Sequence, residues 1–292
     1  MSLVEKTIAR LKKEQGEPPG VDPGTRLSRT AAPVHDVDPL EETGNLANRI
    51  SIDSAALRAA GYLPEPERER QFSDQYRRIK RPLIDKALSS DSDGGDPRII
   101  MVTSALPGDG KTFTSLNLAL SMSLERDISV LLIDADVPKR HVSQIFSLDA
   151  RPGLLDVLAD ERMEAGSVVV PTSTRGLSIL PAGNRLPNTV ELLSSTRMAK
   201  ILASLCARSP RRILLLDSPP LLVTNEGRAL IKLVGQIVLV VRAGQTPRQA
   251  VQAAVALFDM NQAGGVVLNQ VPGNSTDEYY GYGSYGVDGA QT

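Results

Sequence analysis

The sequence predicts an α/β fold in which a mostly parallel sheet is covered by helices on both faces. From residue 98 onward, short apolar runs alternate with stretches of helical character. The runs are rich in Val, Ile and Leu and do not alternate with polar residues, which is typical of strands buried on both faces. Strand–helix repetition indicates right-handed crossovers between parallel strands. These observations place the folded core at about residues 97–272.

Six apolar runs define the strands of this core in order. They cover residues 98–104, 129–134, 177–180, 212–217, 236–241 and 264–271. Helical stretches follow the first five runs, beginning at Lys111 and then lying near 139–147, 189–206, 224–233 and 248–260. The whole chain has 292 residues, which is long enough for a sizeable core.

The region before the core has a different character. Val4, Ile8 and Leu11 have the spacing of a short amphipathic helix, and residues 16–45 lack any periodicity and are rich in Pro and Gly. We therefore assign residues 1–65 to an N-terminal helix and a flexible linker.

Residues 66–96 regain helical character before the core begins. We expect Pro82 to kink or break this helix, and the stretch DSDGGDP at 91–97 to act as a hinge. After the core, residues 273–292 are polar and Gly-rich and are expected to be disordered. This tail contains four of the six tyrosines of the chain, namely Tyr279, Tyr280, Tyr282 and Tyr285.

Composition excludes several classes of function. The chain has 33 Lys and Arg against 34 Asp and Glu, so a net charge of −1 argues against a nucleic-acid or membrane partner recruited by bulk positive charge. The single cysteine, Cys206, cannot form a disulfide framework and fits a reducing compartment. No apolar run approaches the roughly 18 residues of a membrane span, and the N-terminus lacks the apolar core of a secretory signal. We expect a cytoplasmic protein.

The first predicted strand runs into the sequence ALPGDGKT, which has the composition of a phosphate-binding loop. Gly108 and Gly110 allow the backbone amides to point at phosphate oxygens, Lys111 can reach the β- and γ-phosphates, and the Thr112 hydroxyl can bind Mg²⁺. Ala105 occupies the position where the pattern GxxxxGK[ST] has its first glycine. The strand before the loop and the helix after it favour a phosphate site over an ordinary Gly-rich turn.

Carboxylates follow two further strands. The second strand ends in Asp134 and Asp136, and the strand RILLLD ends in Asp217, which is followed by Ser-Pro-Pro. Ligands of open parallel sheets bind at the carboxyl ends of the strands, so these acids can share a metal–phosphate site. The alternative is that one of the first two acids caps the next helix, and Asp136 is the better candidate for that role.

Three other features carry weaker signals. His141 has no second histidine placed to complete a metal site, so a solvated or capping role is favoured. Cys206 faces the core by its helical spacing, which predicts an inert buried thiol. The basic residues between Arg77 and Arg81 can be a solvated helix face or a binding surface.

Taken together, these motifs resemble the bacterial tyrosine autokinases (BY-kinases) that govern exopolysaccharide synthesis and export. The likeness covers about residues 70–285 and rests on SALPGDGKT, LLIDADVPKR, LLLDSPP and the tyrosine cluster of the tail. The stretches PGLLDVL, LPAG and PNTVELLSS are also similar to the family. The N-terminal stretches MSLVEKTIARL and YRRIKRPLI are most similar to the stand-alone branch found with exosortase-linked polysaccharide operons.

The resemblance implies a P-loop NTPase of the deviant Walker class that uses ATP and Mg²⁺. Asp134 and Asp136 would be the Walker A′ acids and Asp217 the Walker B acid, with Mg²⁺ held by Thr112, Asp136 and Asp217. Asp134 is our first choice for the base, although the division of roles among the three acids stays open. The residues expected to bind ATP are Pro107, Gly108, Asp109, Gly110, Lys111, Thr112 and Phe113 in the loop, together with Asn269 on the adenine side.

The resemblance also implies partners and substrates. The substrate would be the tail tyrosines of a neighbouring subunit in a ring. The family forms such rings through a Glu-x-x-Arg-x-x-Arg helix, which here reads Gln75, Arg78 and Arg81, with Gln in place of the acid. The family motif Leu-Arg-Arg-Pro is replaced here by residues 137–140, so its cationic role would pass to Lys139 or Arg140. A membrane co-polymerase activator that recruits the protein to the inner face of the membrane, and a tyrosine phosphatase, would complete the system.

Two other functions compete with a kinase. A partitioning or positioning ATPase of the ParA/MinD type has a similar fold, but it usually carries a lysine early in the loop, where this chain has Leu106, and it lacks a tyrosine tail. A nucleotide-sensing scaffold would regulate a polysaccharide exporter without forming any phosphotyrosine.

Overall fold

The computed structural model describes residues 49–89 and 95–272. Within these ranges a seven-stranded sheet forms the centre of the protein, with the strand order β3-β4-β2-β5-β1-β6-β7. All neighbouring strands are parallel except β3 and β4, which are antiparallel. The strands are β1 (Ile99–Ser104), β2 (Ser129–Asp134), β3 (Val170–Pro171), β4 (Leu177–Leu180), β5 (Arg212–Asp217), β6 (Gln236–Arg242) and β7 (Ala263–Asn269).

Nine α-helices surround the sheet in the described part of the chain. They are α1 (Ser54–Ala59), α2 (Glu69–Ala87), α3 (Lys111–Ser123), α4 (His141–Ile145), α5 (Leu154–Ala159), α6 (Thr189–Leu193), α7 (Thr196–Ala207), α8 (Asn225–Ile231) and α9 (Arg248–Val255). Short 3₁₀ turns cover Pro66–Arg68, Ala165–Val168 and Met260–Gln262. None of the described helices combines the length and the apolarity that a membrane crossing requires.

Each face of the sheet supports its own apolar core, because successive side chains of a strand point to opposite faces. In β1, Ile99 and Met101 pack with α5, α7 and α8, whereas Ile100 and Val102 pack with α2 and α3. The central strands β1 and β5 are buried along their whole length. The predicted α/β fold, with a mostly parallel sheet covered on both faces, is confirmed.

Several predicted elements differ from the structure. The helix predicted over 189–206 is two helices, because the Ser195 hydroxyl accepts a hydrogen bond from the Met198 N–H and begins α7. Helix α5 and the short antiparallel strand β3 were not predicted. Helix α2 continues through Pro82, which lies on its exposed side, so the expected break does not occur.

The N-terminal boundary also differs from the prediction. Residues 49–65 were assigned to the linker region, but they contain α1, which Asp53 caps by accepting hydrogen bonds from the Ala55 and Ala56 N–H groups. Leu57 of this helix is buried in the same core as α2 and α3. The predicted helix at 4–13, the linker at 16–45, most of the hinge at 91–97 and the tail at 273–292 lie outside the described residues.

Candidate nucleotide and phosphoryl-transfer site

The loop between β1 and α3 has the backbone geometry of a phosphate cradle. Gly108 and Gly110 adopt φ angles of 89° and 94°, which side chains other than glycine rarely adopt. A Cβ atom on Gly110 would also lie 2.0 Å from Asn269 Nδ2, so the second glycine is required by space as well. Ala105 is fully buried, but its φ angle is not positive. The backbone at this position therefore does not require glycine, and alanine is accommodated.

Lys111 and Thr112 form the first turn of α3, directly after this loop. The Lys111 side chain is only 5% exposed. Burial lowers its pKa, while the nearby carboxylates of Asp217 and Asp136 act in the opposite direction. The Thr112 hydroxyl donates a hydrogen bond to Asp217 Oδ2 at 2.8 Å. The first turn of α3 is therefore in contact with the strand-end acid Asp217 through Thr112, and the charge of Asp217 also acts on Lys111.

The second carboxylate oxygen of Asp217 has a partner that the sequence analysis missed. The Ser115 hydroxyl lies 3.0 Å from Asp217 Oδ1 and 3.0 Å from the Lys111 carbonyl oxygen. Asp217 is fully buried, and burial raises its pKa to about 6. The available signal for Ser115 was its position one helical turn after Lys111, which places it on the same face of α3.

Asp134 is held by the helix that follows its strand. Its Oδ2 accepts hydrogen bonds from the Ser143 N–H and hydroxyl, both at 2.7 Å. Asp134 also stands directly opposite Asp217 in the pairing of β2 with β5. Burial, and next the negative charge of Asp217, raise the pKa of Asp134 to about 7. The acid that bonds the first turn of α4 is thus Asp134, whereas the sequence analysis made Asp136 the better candidate for the capping alternative.

Asp136 keeps an oxygen without a partner. It is 2% exposed, and its Oδ1 is buried with no hydrogen bond in the described structure. Burial raises its pKa, against the opposing charges of Lys111, Lys139 and His141. His141 opens α4 beside this carboxylate, and burial lowers the pKa of its imidazole.

The loop after Asp136 separates its two basic residues. Arg140 has a φ angle of 54°, and its Nη1 donates to the Gly183 carbonyl oxygen at 3.0 Å. Its guanidinium is therefore directed towards the loop after β4, whereas Lys139 is exposed. Of the two residues that the resemblance offered for the cationic role, Lys139 is the one that faces solvent.

Asn269 and Phe113 contact the loop region in ways that the sequence did not specify. Asn269 Nδ2 donates to the Asp109 carbonyl oxygen at 2.9 Å, and its Oδ1 accepts from the Gln270 N–H. The Phe113 ring packs edge-on against Phe72 of α2, with 6.0 Å between ring centroids. Pro107 is exposed at the front of the loop.

The remaining predicted positions make none of the contacts given above for this site. Gln75, Arg78 and Arg81 are on the exposed side of α2, but Lys80 is buried and forms an ion pair with Glu125, so the basic run is not a uniformly solvated face. Cys206 is fully buried, and burial raises its pKa to about 12, as an inert thiol requires. The four tail tyrosines lie outside the described residues.

The residues present are suited to a nucleotide with Mg²⁺. Asp134 Oδ1 and Asp136 Oδ1 are buried acceptors that lack donors in the described structure. Asp134 stands opposite Asp217, and the charge of Lys111 acts on Asp136. No group of three or more His, Cys, Asp or Glu side chains in the described ranges could hold a metal ion. Mg²⁺ in kinases and ATPases typically uses one or two carboxylates, waters and the substrate phosphates, so this donor set fits such an ion.

A phosphate loop and strand-end carboxylates on a mostly parallel sheet define a nucleotide-binding α/β protein. A family model described as an AAA domain matches residues 97–256. The tyrosine-protein kinase YwqD of Bacillus subtilis is 32% identical over 221 residues, which are 74% of this chain and 86% of that protein. The tyrosine-protein kinase wzc of Salmonella typhimurium is 32% identical over 189 residues, which are 64% of this chain and 26% of wzc. This chain thus spans about a quarter of the length of wzc.

Solved structures agree with these relatives. The kinase domain of VpsO superposes with a TM-score of 0.57 at 30% identity, and covers 71% of this chain and 100% of its own. The kinase domain of Escherichia coli tyrosine kinase ETK gives a TM-score of 0.54 at 30% identity, with 63% of this chain and 72% of its own covered. The chain belongs to the bacterial tyrosine-protein kinases.

Proposed function

We propose that the protein is an ATP-dependent tyrosine autokinase that phosphorylates the tyrosine cluster of its own tail in trans. One observation carries the proposal: Lys111, Thr112 and the carboxylates of Asp134, Asp136 and Asp217 converge at the carboxyl ends of β1, β2 and β5. Phosphoryl transfer needs cations, a positioned nucleophile and a carboxylate base, and little covalent chemistry from the protein.

The roles in nucleotide binding follow from the contacts. The amides of the loop from Gly108 to Gly110 would hold phosphate oxygens, and Lys111 would neutralise the β- and γ-phosphates. Thr112 would offer its hydroxyl oxygen to Mg²⁺ while it donates its proton to Asp217. Asp136 would offer its unpartnered oxygen to the same ion.

Asp134 remains our choice for the base. A pKa of about 7 suits proton transfer at neutral pH, and one of its oxygens has no donor. The tyrosine hydroxyl would give its proton to that oxygen while the phenolic oxygen bonds to the γ-phosphorus and the bond to the ADP oxygen breaks. Ser143, which holds the other oxygen, would keep the carboxylate in place.

The tail is the best source of acceptor tyrosines. Outside it the chain has only Tyr62 and Tyr76, and Tyr76 is buried in the core beneath α2. Asp277 and Glu278 precede the first tail tyrosine, and exposed Lys139 near the site has the charge to attract them.

The biological role we propose is control of exopolysaccharide synthesis and export, with a membrane activator that recruits the protein and a phosphatase that resets it.

The test is mass spectrometry of the purified full chain after incubation with and without Mg-ATP. The wild type should gain phosphate on Tyr279, Tyr280, Tyr282 or Tyr285. Lys111→Met should abolish the signal while the fold survives, because it removes the charge that pairs with the phosphates. Lys200→Met, an exposed lysine on α7, is the control and should behave as the wild type.

A second variant tests the acceptor separately from the catalyst. Replacement of all four tail tyrosines by Phe should leave ATP binding intact and remove most of the phosphotyrosine. Undiminished phosphotyrosine in this variant would place the acceptor elsewhere. ATP hydrolysis without any phosphotyrosine in the wild type would instead favour an ATPase switch of the ParA/MinD type.

A further inference from the structure

The phosphate loop carries an acidic residue whose side chain is buried. Asp109 lies between the two left-handed glycines and is 3% exposed. Its Oδ1 accepts a hydrogen bond from the Thr246 hydroxyl at 2.7 Å, and its Oδ2 has no partner in the described structure. Among the residues that the structure describes, Thr246 is therefore the side chain that holds this carboxylate.

Thr246 is itself fixed by the strand that precedes it. Its hydroxyl oxygen accepts from the Arg242 N–H at the end of β6, at 3.0 Å. On the neighbouring strand β7, the Asn269 side-chain Nδ2 donates to the Asp109 carbonyl oxygen. The backbone carbonyl oxygen of Asn269 accepts from the Ala243 N–H at 2.9 Å. The end of β6 thus holds the Asp109 side chain through Thr246, and the end of β7 holds the Asp109 backbone through Asn269.

We propose that Thr246 is a positioning residue for nucleotide binding, and that it acts through Asp109. A loop with two glycines has many conformations when it is free, and fixing it before the ligand arrives reduces the entropic cost of binding. The Thr246 hydrogen bond holds the Asp109 side chain on the β6 side of the loop. The flanking amides then stay in the arrangement that receives phosphate. The proposal rests on the proposed nucleotide-binding function of this loop.

Removal of the hydroxyl should therefore weaken binding. A buried carboxylate without any donor is costly, so Asp109 would leave its place and the loop would change conformation. Thr246→Val has nearly the shape of threonine and lacks only the hydroxyl. We expect it to weaken Mg-ADP binding by about tenfold, since a hydrogen bond to a charged group corresponds to that change or more. Thr246→Ser keeps the hydroxyl and should restore the affinity.

The measurement is calorimetric titration of the full chain with Mg-ADP, together with thermal unfolding in the absence of nucleotide. Thr172→Val is the matched control, because Thr172 is a buried threonine whose hydroxyl is bonded to backbone oxygens beside β3, at the opposite edge of the sheet. It should lower the unfolding midpoint without changing the affinity for Mg-ADP. In kinetics, Thr246→Val should raise KM for ATP much more than it lowers kcat.

A double-mutant cycle separates the proposed pair from a general packing effect. Asp109→Ala should weaken Mg-ADP binding as Thr246→Val does, and the double variant should be no weaker than either single variant. The proposal is overturned if Thr246→Val lowers only the unfolding midpoint, if Ser fails to rescue it, or if the two substitutions are additive. Failure of the kinase proposal is a separate result, because it is measured as phosphotyrosine and these titrations are not.

Discussion

At the scale of single residues, the carboxylates of the site differ in which groups hold them. Asp217 accepts from two hydroxyls of α3, Asp134 accepts from Ser143, and Asp136 has one oxygen without a donor. Both oxygens of Asp217 are thus bonded, whereas Asp134 and Asp136 each keep one buried oxygen without a donor in the described structure. In the proposed function, the free oxygen of Asp136 serves the metal and that of Asp134 receives the proton.

Asp96, just before β1, allows a test of how much a single ion pair stabilises the fold. Partial burial raises its pKa, but the bonds from the Arg98 side chain and N–H outweigh burial and hold the pKa below its ordinary value. Arg98 Nη2 lies 2.6 Å from Asp96 Oδ2, and its Nη1 donates to the Cys206 carbonyl oxygen at the end of α7. This ion pair thus connects the start of β1 to α7.

We predict that Asp96→Asn lowers the free energy of unfolding by about 1 kcal/mol at neutral pH. A carboxylate with a depressed pKa stabilises the fold above the pKa of the unfolded chain, and this stabilisation is lost as the pH falls through the folded pKa. The difference between wild type and variant should therefore shrink as the pH falls below about 4, the ordinary pKa of an aspartate.

Chemical denaturation over a series of pH values measures the effect of Asp96→Asn. Asp85→Asn is the control, because its pair with Arg81 is exposed and 3.6 Å long and should contribute little. A difference between Asp96→Asn and the wild type that stays constant down to acid pH would contradict an electrostatic origin.

At the scale of elements, helix α2 packs against the whole length of the phosphate-loop helix. Phe72 contacts Phe113 at the beginning of α3, and Lys80 binds Glu125 and the Ser121 carbonyl oxygen at its end. The Lys80 Nζ lies 2.9 Å from Glu125 Oε1, and the lysine side chain is 6% exposed. The helix that the family resemblance assigns to assembly thus also supports the nucleotide site.

Lys80→Met should destabilise the protein by about 2 kcal/mol. Methionine fills the space of the lysine stem, but the last turn of α3 loses the cation that bonds the Ser121 carbonyl oxygen, and Glu125 loses its buried partner. The exposed pair of Arg77 with Asp74 on the same helix offers the matched control, and Arg77→Ala should change stability by no more than about 0.5 kcal/mol. Urea unfolding compares the two, and equal effects would show that burial of Lys80 is unimportant.

At the scale of the whole molecule, the exposed side of α2 is the surface that the proposed assembly would use. Gln75, Arg78 and Arg81 lie on that side, away from the buried residues Tyr76 and Leu83. Arginines on an exposed face can pair bidentately with carboxylates of a neighbouring subunit. The proposed trans reaction needs such contacts, because in it the acceptor tail and the active site would belong to different copies.

Arg78→Ala combined with Arg81→Ala should shift the protein towards the monomer and slow phosphorylation in trans. Light scattering gives the mass, and the rate of phosphotyrosine formation gives the activity. A double variant with the same change of charge, Arg126→Ala with Arg211→Ala, uses exposed arginines outside α2 and should leave both unchanged. Unchanged mass and activity in the α2 variant would show that these two arginines only form a solvated helix face.

Much of the fold and the site follows from local sequence. The Val, Ile and Leu runs predict the main strands, since strands buried on both faces need continuous apolar sequence. The loop ALPGDGKT and the acids at the strand ends identify the site, because ligands bind at the carboxyl ends of parallel strands. Lys111, Thr112 and Asp217 were predicted to act together, and the structure places them in contact or close by.

Only the tertiary structure decided which neighbours hold these residues. Thr112 and Asp217 are 105 positions apart, and Asp109 and Thr246 are 137 apart. No local pattern marks Ser143 or Thr246 as partners, because serine and threonine are common in many environments. The helical spacing of Ser115 from Lys111 places it on the right face of α3 but does not show that it meets Asp217. Buried Lys80 likewise pairs with Glu125, which lies outside α2, so a helical pattern within α2 cannot show this ion pair. The sequence by itself therefore determined six of the seven described strands and the candidate reactive groups. The packing of distant segments decided their hydrogen bonds, because those bonds depend on which surfaces meet across the sheet.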